Sequence, residues 1–186
     1  MASLTATTAL GGTIPYDEVI GGTRIIEITD TQLASLAMRR GRATAFERAA
    51  RQALGTNLPT PGQRAGSSAR GLIWMGADQY LVEAEPGATD LAADLDIAFG
   101  AAASITDQSD AWVRFDITGD DVLAMLERLS AADTRRMQPG AAVRTPVHHM
   151  LCLLVCRDAH TSFTIYGPRA SAESLHHALI AAAASL

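Results

Sequence analysis

Lysine is missing from this chain: all 15 basic residues among its 186 are arginine. That absence excludes a Schiff base to pyridoxal phosphate, a lysine nucleophile, and a P-loop whose lysine grips phosphate. The arginine bias itself reads as genomic composition and carries no function. Cysteine is scarce as well. Two residues, Cys152 and Cys156, do not make a disulfide framework. No run reaches the roughly 18 consecutive apolar residues that a membrane span requires. The first arginine is Arg24 and no continuous apolar core precedes it, so no signal peptide is read. A cytoplasmic chain is the expectation.

A basic surplus is lacking too. Twenty acids outnumber the arginines and the net charge is -5, which argues against nucleic acid or an anionic membrane as partner. The standard catalytic signatures are absent: no G-x-G-x-x-G after a strand, no H-E-x-x-H, no C-x-x-C and no G-x-S-x-G. No catalytic, cofactor-binding or metal-ligating residue is therefore assigned on motif grounds.

What is present is apolar and alanine-rich. Hydrophobic residues make up 48% of the chain, enough for a core that folds without disulfides or metal. Residues 1–22 read as an extended or disordered lead-in, and residues 23–186 as one compact domain. A β-branched strand is expected at Thr23–Thr29, with a second apolar stretch at Leu33–Met38. Thr44 and Glu47 have the spacing of a capping box, opening a helix that buries Phe46, Ala49, Ala50, Ala53 and Leu54 and stops at Gly55. Residues 59–69 read as a loop. Strands at Gly71–Met75 and Tyr80–Glu83 flank a four-residue hairpin connection. A helix follows over about Thr89–Phe99.

The second half repeats this grammar. Ala103–Asp107 and Trp112–Ile117 read as paired strands around Gln108-Ser109-Asp110. Thr118 and Asp121 should cap a helix that buries Val122, Leu126 and Leu129. After an irregular stretch to Gly140 come strands near Ala142–His148, Met150–Cys156 and Ser162–Tyr166. A final helix buries Leu175, Leu179 and Ala182. The expected class is α+β, with largely antiparallel sheets, helices packed on them, and two similar halves at about 23–100 and 101–186.

Four residues invite a metal reading: His148, His149, Cys152 and Cys156. On a strand each four-residue step spans about 13 Å, too far for one ion whose ligands all lie about 2 Å away. Buried structural cysteines are the reading that fits a strand. His176 and His177 read as rim residues of the last helix, and Trp74 and Trp112 as core anchors. Charge is uneven. Residues 39–51 hold Arg39, Arg40, Arg42, Arg48 and Arg51 against Glu47, whereas residues 78–121 hold eleven acids against Arg114. The arginine segment is either a solvated face or a surface that docks a partner.

A family likeness runs through these blocks. Leu54-Gly55-x-x-Leu58-Pro59, followed by Leu72-Ile73-Trp74-Met75-Gly76-Ala77-Asp78-Gln79-Tyr80-Leu81-Val82, resembles the gamma subunit of heterotetrameric sarcosine oxidase. That family carries a Leu-Gly-x-x-Leu-Pro and a Trp-Leu-Gly-Pro-Asp-Glu-Trp-Leu-Leu-like hairpin. Ile105–Asp110, Val113-Arg114-Phe115 with Ile117-Thr118-Gly119, Pro139-Gly140-Ala141 and Phe163–Arg169 match further blocks in order, over about residues 23–184. Ala77, Gln79 and Tyr80 depart from the hairpin pattern. Leu129–Asp133 stands where the family has a Cys-Pro-Leu-Asp-like segment.

The resemblance implies a fold like the folate-binding modules of the glycine-cleavage aminomethyltransferase. It also implies a non-catalytic small subunit of a complex that oxidatively demethylates sarcosine, or a related N-methyl amino acid, with formation of peroxide. The large alpha-type and beta-type flavoprotein subunits and a small delta-type subunit are the implied partners. FAD, FMN, NAD and tetrahydrofolate are implied on those partners and none on this chain. A different class of function is a stand-alone folate- or small-molecule-binding module, or a one-carbon transferase. It would need a carboxylate beside a ligand cavity, and spacing flags none.

Overall fold

Strand and helix alternate here because the hydrophobic period alternates. Trp112–Thr118 places Val113, Phe115 and Ile117 on one side, whereas Val122–Leu129 buries Val122, Met125, Leu126 and Leu129 at helical spacing. The computed structural model describes residues 6–87 and 90–186. Eleven strands and four helices lie within them. In chain order they are β1 (Asp17–Ile20), β2 (Thr23–Ile28), β3 (Gln32–Met38), α1 (Ala43–Leu54), β4 (Arg64–Gly66), β5 (Arg70–Gly76), β6 (Gln79–Ala84) and α2 (Leu91–Phe99). Then follow β7 (Ala103–Asp107), β8 (Trp112–Thr118), α3 (Val122–Leu129), β9 (Ala142–Val147), β10 (Met150–Asp158), β11 (Ser162–Pro168) and α4 (Ala172–Ala184).

The chain forms two compact units, and they are interleaved in sequence. One takes residues 30–110 with 140–142; the other takes the chain up to Thr29, residues 111–139, and 143–186. The halves read from the sequence divide instead at about residue 100. The physical reason for the difference is that β2, at the start of the chain, pairs with β8 rather than with its sequence neighbour β3.

In the first unit the strand order is β4-β5-β6-β3-β7, with every registered pair antiparallel. Leaving out the short edge strand β4, the chain runs β-α-β-β-α-β, the split βαβ arrangement. Its core joins Ala34, Leu36, Leu72 and Val82 of the sheet to Phe46, Ala50 and Leu54 of α1 and Leu91, Leu95 and Phe99 of α2. Phe46 centres an aromatic group, 5.1 Å from the ring of Phe99 and 5.8 Å from that of Tyr80.

In the second unit the order is β1-β2-β8-β11-β10-β9. Taken from β8, the same layout recurs as β8-α3-β10-β11-α4, and β2 supplies the last strand from far upstream. Register places Ile117 opposite both Ile25 and Phe163, and Ile165 opposite both Phe115 and Leu154; all six are buried. Gly119, at φ +130, lies so close to the Gly22 carbonyl that a Cβ there would collide with it. Only glycine fits that crossing.

The α+β class with antiparallel sheets and helices is what forms. Several local expectations differ. Ala103–Asp107 and Trp112–Ile117 are not partners: β7 pairs with β3 and β8 with β2 and β11, in different sheets. Residues 59–69 contain β4, and the lead-in contains β1; residues 1–5 lie outside the described residues. The expected start of α2 at Thr89 also lies outside them. Asp90 caps that helix, accepting from the amides of Ala92 and Ala93.

Thr44 and Glu47 form no capping box. A turn at Gly41 (φ +75) brings the chain into α1 at Ala43, so the N-cap is Arg42, with no side-chain cap and no acid in the first turn. Gly55 does end the helix in the left-handed conformation, at φ +65. Asp121 sits at the N-cap of α3, but its carboxylate accepts from the Gly22 amide (3.0 Å) instead of a helix amide. The β5–β6 connection is tighter than four residues. Gly76 pairs with Gln79, and Asp78 takes φ +58 in the turn.

Candidate functional site

Among the described residues two carboxylates are buried, Glu27 and Glu83, and a third, Asp116, is partly buried; each is already engaged. In the first unit Glu83 is 3% exposed and pairs with the Arg64 guanidinium, which lies across Gly71 where any Cβ would collide with it. In the second unit Glu27, 2% exposed, accepts from the backbone amides of Leu10 and Tyr16, both at 3.2 Å. Asp116 accepts from Arg114 at 2.7 and 3.0 Å and from the Thr164 hydroxyl at 2.6 Å. Thr164 in turn accepts from Arg157 (2.8 Å), whose other arm reaches the Tyr166 hydroxyl at 3.2 Å. These contacts hold strands together by charge-assisted hydrogen bonds.

The cysteines lie where the strand reading puts them. Both are buried on β10, and burial pushes the Cys152 thiol up to about 11 and raises Cys156 as well, with Asp158 adding to the second shift. Both shifts favour the thiol over the thiolate, the form that attacks an electrophile or binds a metal. His148 and His149 form the exposed turn between β9 and β10, with their rings 4.2 Å apart and His148 at φ +56. Among the described residues no group of three or more His, Cys, Asp or Glu could hold a metal ion.

His176 is less peripheral than its sequence position implies. Its ring stacks on Phe115 (5.9 Å) and meets Tyr16 edge-on (4.2 Å), and its Nε2 is buried without a hydrogen-bond partner. Burial lowers its pKa, opposed by Glu27 and Glu18 and reinforced by His177, so the neutral ring is favoured. Burial, together with Glu18, pushes Tyr16 up to about 12. His177 is exposed. Trp74 packs partly buried against the first unit's core, and Trp112 is half-buried. The alternation of Arg114 and Asp116 along β8 was the one local sign of the Asp116 cluster. The pairing of Glu27 with the segment before β1, and the approach of His176, are long-range and leave no local pattern.

The arginine segment lies on the surface of the first unit. Arg39, Arg40, Arg42, Arg48 and Arg51 are all exposed. Arg39 Nε donates to Ser104 Oγ at 3.1 Å. None of the five makes an ion pair among the described residues, Glu47 included, although Glu47 and Arg51 have helical i,i+4 spacing. Elsewhere Arg24 pairs with Asp17, Arg114 with Asp116, Arg135 with Glu127 and Arg136 with Asp133. Two surface hollows lie in the second unit: about 250 Å³ beside the start of α4, and about 440 Å³ between Glu127–Ala131 and Pro146–His148.

No family model matches the chain, and no curated protein does. Solved structures do. A chain of the heterotetrameric sarcosine oxidase from Corynebacterium sp. U-96, solved in complex with pyrrole 2-carboxylate, superposes with a TM-score of 0.79 at 25% identity, over 88% of this chain and 84% of that one. The regulatory subunit of aspartate kinase from Thermus thermophilus gives a TM-score of 0.44 at 13% identity, over 88% of this chain and 99% of that one. No reading follows from a superposition that loose. The likeness carried by the sequence blocks and the likeness of the fold thus meet on one protein: this chain resembles a subunit of heterotetrameric sarcosine oxidase.

Proposed function

We propose that this chain is the gamma-type subunit of a sarcosine oxidase-type complex, a non-catalytic part that packs against the large alpha-type flavoprotein subunit. One observation carries the reading: the fold matches a chain of such a complex over 88% of its length with a TM-score of 0.79. The interior chemistry supports the non-catalytic part. Glu27, Glu83 and Asp116 each have structural partners, and the cysteines are protonated.

On this reading the complex removes the methyl group of sarcosine or a related N-methyl amino acid. FAD, FMN, NAD and tetrahydrofolate reside on the alpha-type and beta-type subunits, with a small delta-type subunit completing the assembly. The chain works in the cytoplasm. Its contribution is a rigid surface, since a subunit that binds only the folded partner stabilises it by mass action.

The test is isolation of the complex through a tag on this chain. The expected result is co-purification with larger chains, identified by mass, that carry flavin and form peroxide when given sarcosine. The separated chain should be colourless. A tagged chain that stays alone and binds tetrahydrofolate overturns the proposal in favour of a free-standing folate module.

A further inference from the structure

We infer that the arginine face built by Arg39, Arg40 and Arg42 and by the outer side of α1 (Arg48, Arg51) is the surface by which this chain docks a carboxylate-rich patch of the large flavoprotein subunit. This rests on the subunit reading above and names the contact within it.

The first support is a contrast within the molecule. The chain has a net charge of -5, so carboxylates are plentiful, and five of the ten arginines elsewhere form salt bridges with them, at Asp17, Glu83, Asp116, Glu127 and Asp133. In residues 39–51 five exposed arginines face a single glutamate and none is ion-paired among the described residues. Like charges concentrated at this density repel one another, and Glu47 is the one acid within the segment.

Helix polarity sharpens the contrast. The amino end of a helix favours acids, yet α1 opens on Arg42 with no acid in its first turn, whereas α2 opens on Asp90 with Asp94 behind it. The inner side of α1 has a complete explanation in the core, through Phe46, Ala49, Ala50 and Leu54. On the outer side Arg48 and Arg51 are exposed and make no ion pair among the described residues.

Charge complementarity selects the occupant. The arginines call for an anionic surface, but the acidic remainder of the chain repels an extended polyanion such as RNA. A local carboxylate patch on a folded protein satisfies both conditions. Guanidinium suits it, since its planar fork pairs bidentately with carboxylate and stacks well at interfaces.

The experiment measures binding of the full chain to the purified large subunit at about 50 mM and about 300 mM salt, which spans a large change in screening. Wild type should bind, and more weakly at the higher salt. Arg48→Glu with Arg51→Glu should weaken binding by about tenfold or more at low salt. Arg48→Lys with Arg51→Lys keeps the charge and loses the planar fork, so it should weaken binding, and by less than the double reversal does. Circular dichroism should be unchanged throughout, because both side chains are exposed. Arg144→Glu, an exposed arginine outside the segment, is the control for net charge alone and should leave binding as it was.

Wild-type binding that the double reversal leaves unchanged at both salts overturns this surface while the subunit reading stands. Equal losses with Arg144→Glu overturn it too, since net charge would then be the cause. Self-association of this chain through the arginine face, with no effect on large-subunit binding, assigns the face to a second copy and overturns the proposal. Failure of the wild type to bind the large subunit at all defeats the subunit reading itself.

Discussion

The two units share one layout and treat their charges in opposite ways. Each places a β-α-β-β-α-β order into an antiparallel sheet with two helices. The unit of residues 30–110 completes the layout with consecutive strands and adds β4 at its edge. The other takes β2 from the start of the chain and adds β1 at one edge and β9 at the other. The second joins Arg24, Arg114, Arg135 and Arg136 to its own carboxylates. The first buries one strong pair, Arg64 with Glu83, and leaves the arginines around α1 exposed. A shared fold therefore does not impose a shared charge arrangement on the two surfaces.

The largest expected effects test the cores. Phe46→Ala in the first unit and Phe115→Ala in the second each remove a fully buried ring and should cost about 3–5 kcal/mol in denaturant unfolding. If the two units are equally dependent on their aromatic centres, the two losses will be alike.

The buried carboxylates should separate the units. Arg64→Ala removes the guanidinium that pairs with the buried Glu83 carboxylate, and a loss of about 3–5 kcal/mol is expected. Glu27 is held by two backbone amides, so Glu27→Gln should cost less, about 1–3 kcal/mol. Chemical denaturation of both variants checks the order, and a reversed order would break the contrast.

How much of this was legible in the sequence follows from which interactions are local. The apolar faces of α3 and α4 and the identity of most strands rest on short periodicities and could be read directly. The pairing of β7 with β3, and of β2 with β8, could not, because strand partners far apart in sequence leave no period. Sequence proximity pointed instead to Ala103–Asp107 with Trp112–Ile117. β4 was hidden by its three-residue length within a Gly/Pro/Ser segment. Thr44-x-x-Glu47 matched a capping pattern that the turn at Gly41 pre-empts. The arginine segment, with Arg48 and Arg51 on the outer side of the helix, was visible in the sequence; that none of the five forms an ion pair among the described residues required the structure.

A smaller effect concerns pH and only the second unit. Burial lowers the pKa of His176 below the ordinary 6.5, so the unfolded chain binds the proton more readily than the folded one. Stability contributed by the neutral ring is complete above that value and is lost as pH falls through 6.5 toward the lowered folded value. His176→Gln should flatten the dependence in that window, measured as melting temperature against pH. A slope unchanged by the substitution would assign it to other groups. The smallest effect is expected on the surface of α1. Arg48→Ala should alter the stability of the isolated chain by no more than about 0.5 kcal/mol, because the side chain is exposed and makes no ion pair.

The measurement that bears most directly on the central claim is sedimentation velocity of this chain mixed with the purified flavin-bearing large subunit. Protein and flavin absorbance are recorded together. The account predicts one faster boundary in which the chain travels with the flavin, the colour belonging entirely to the partner. Two separate boundaries, with the chain sedimenting as a colourless free species at every ratio and salt concentration, would contradict it.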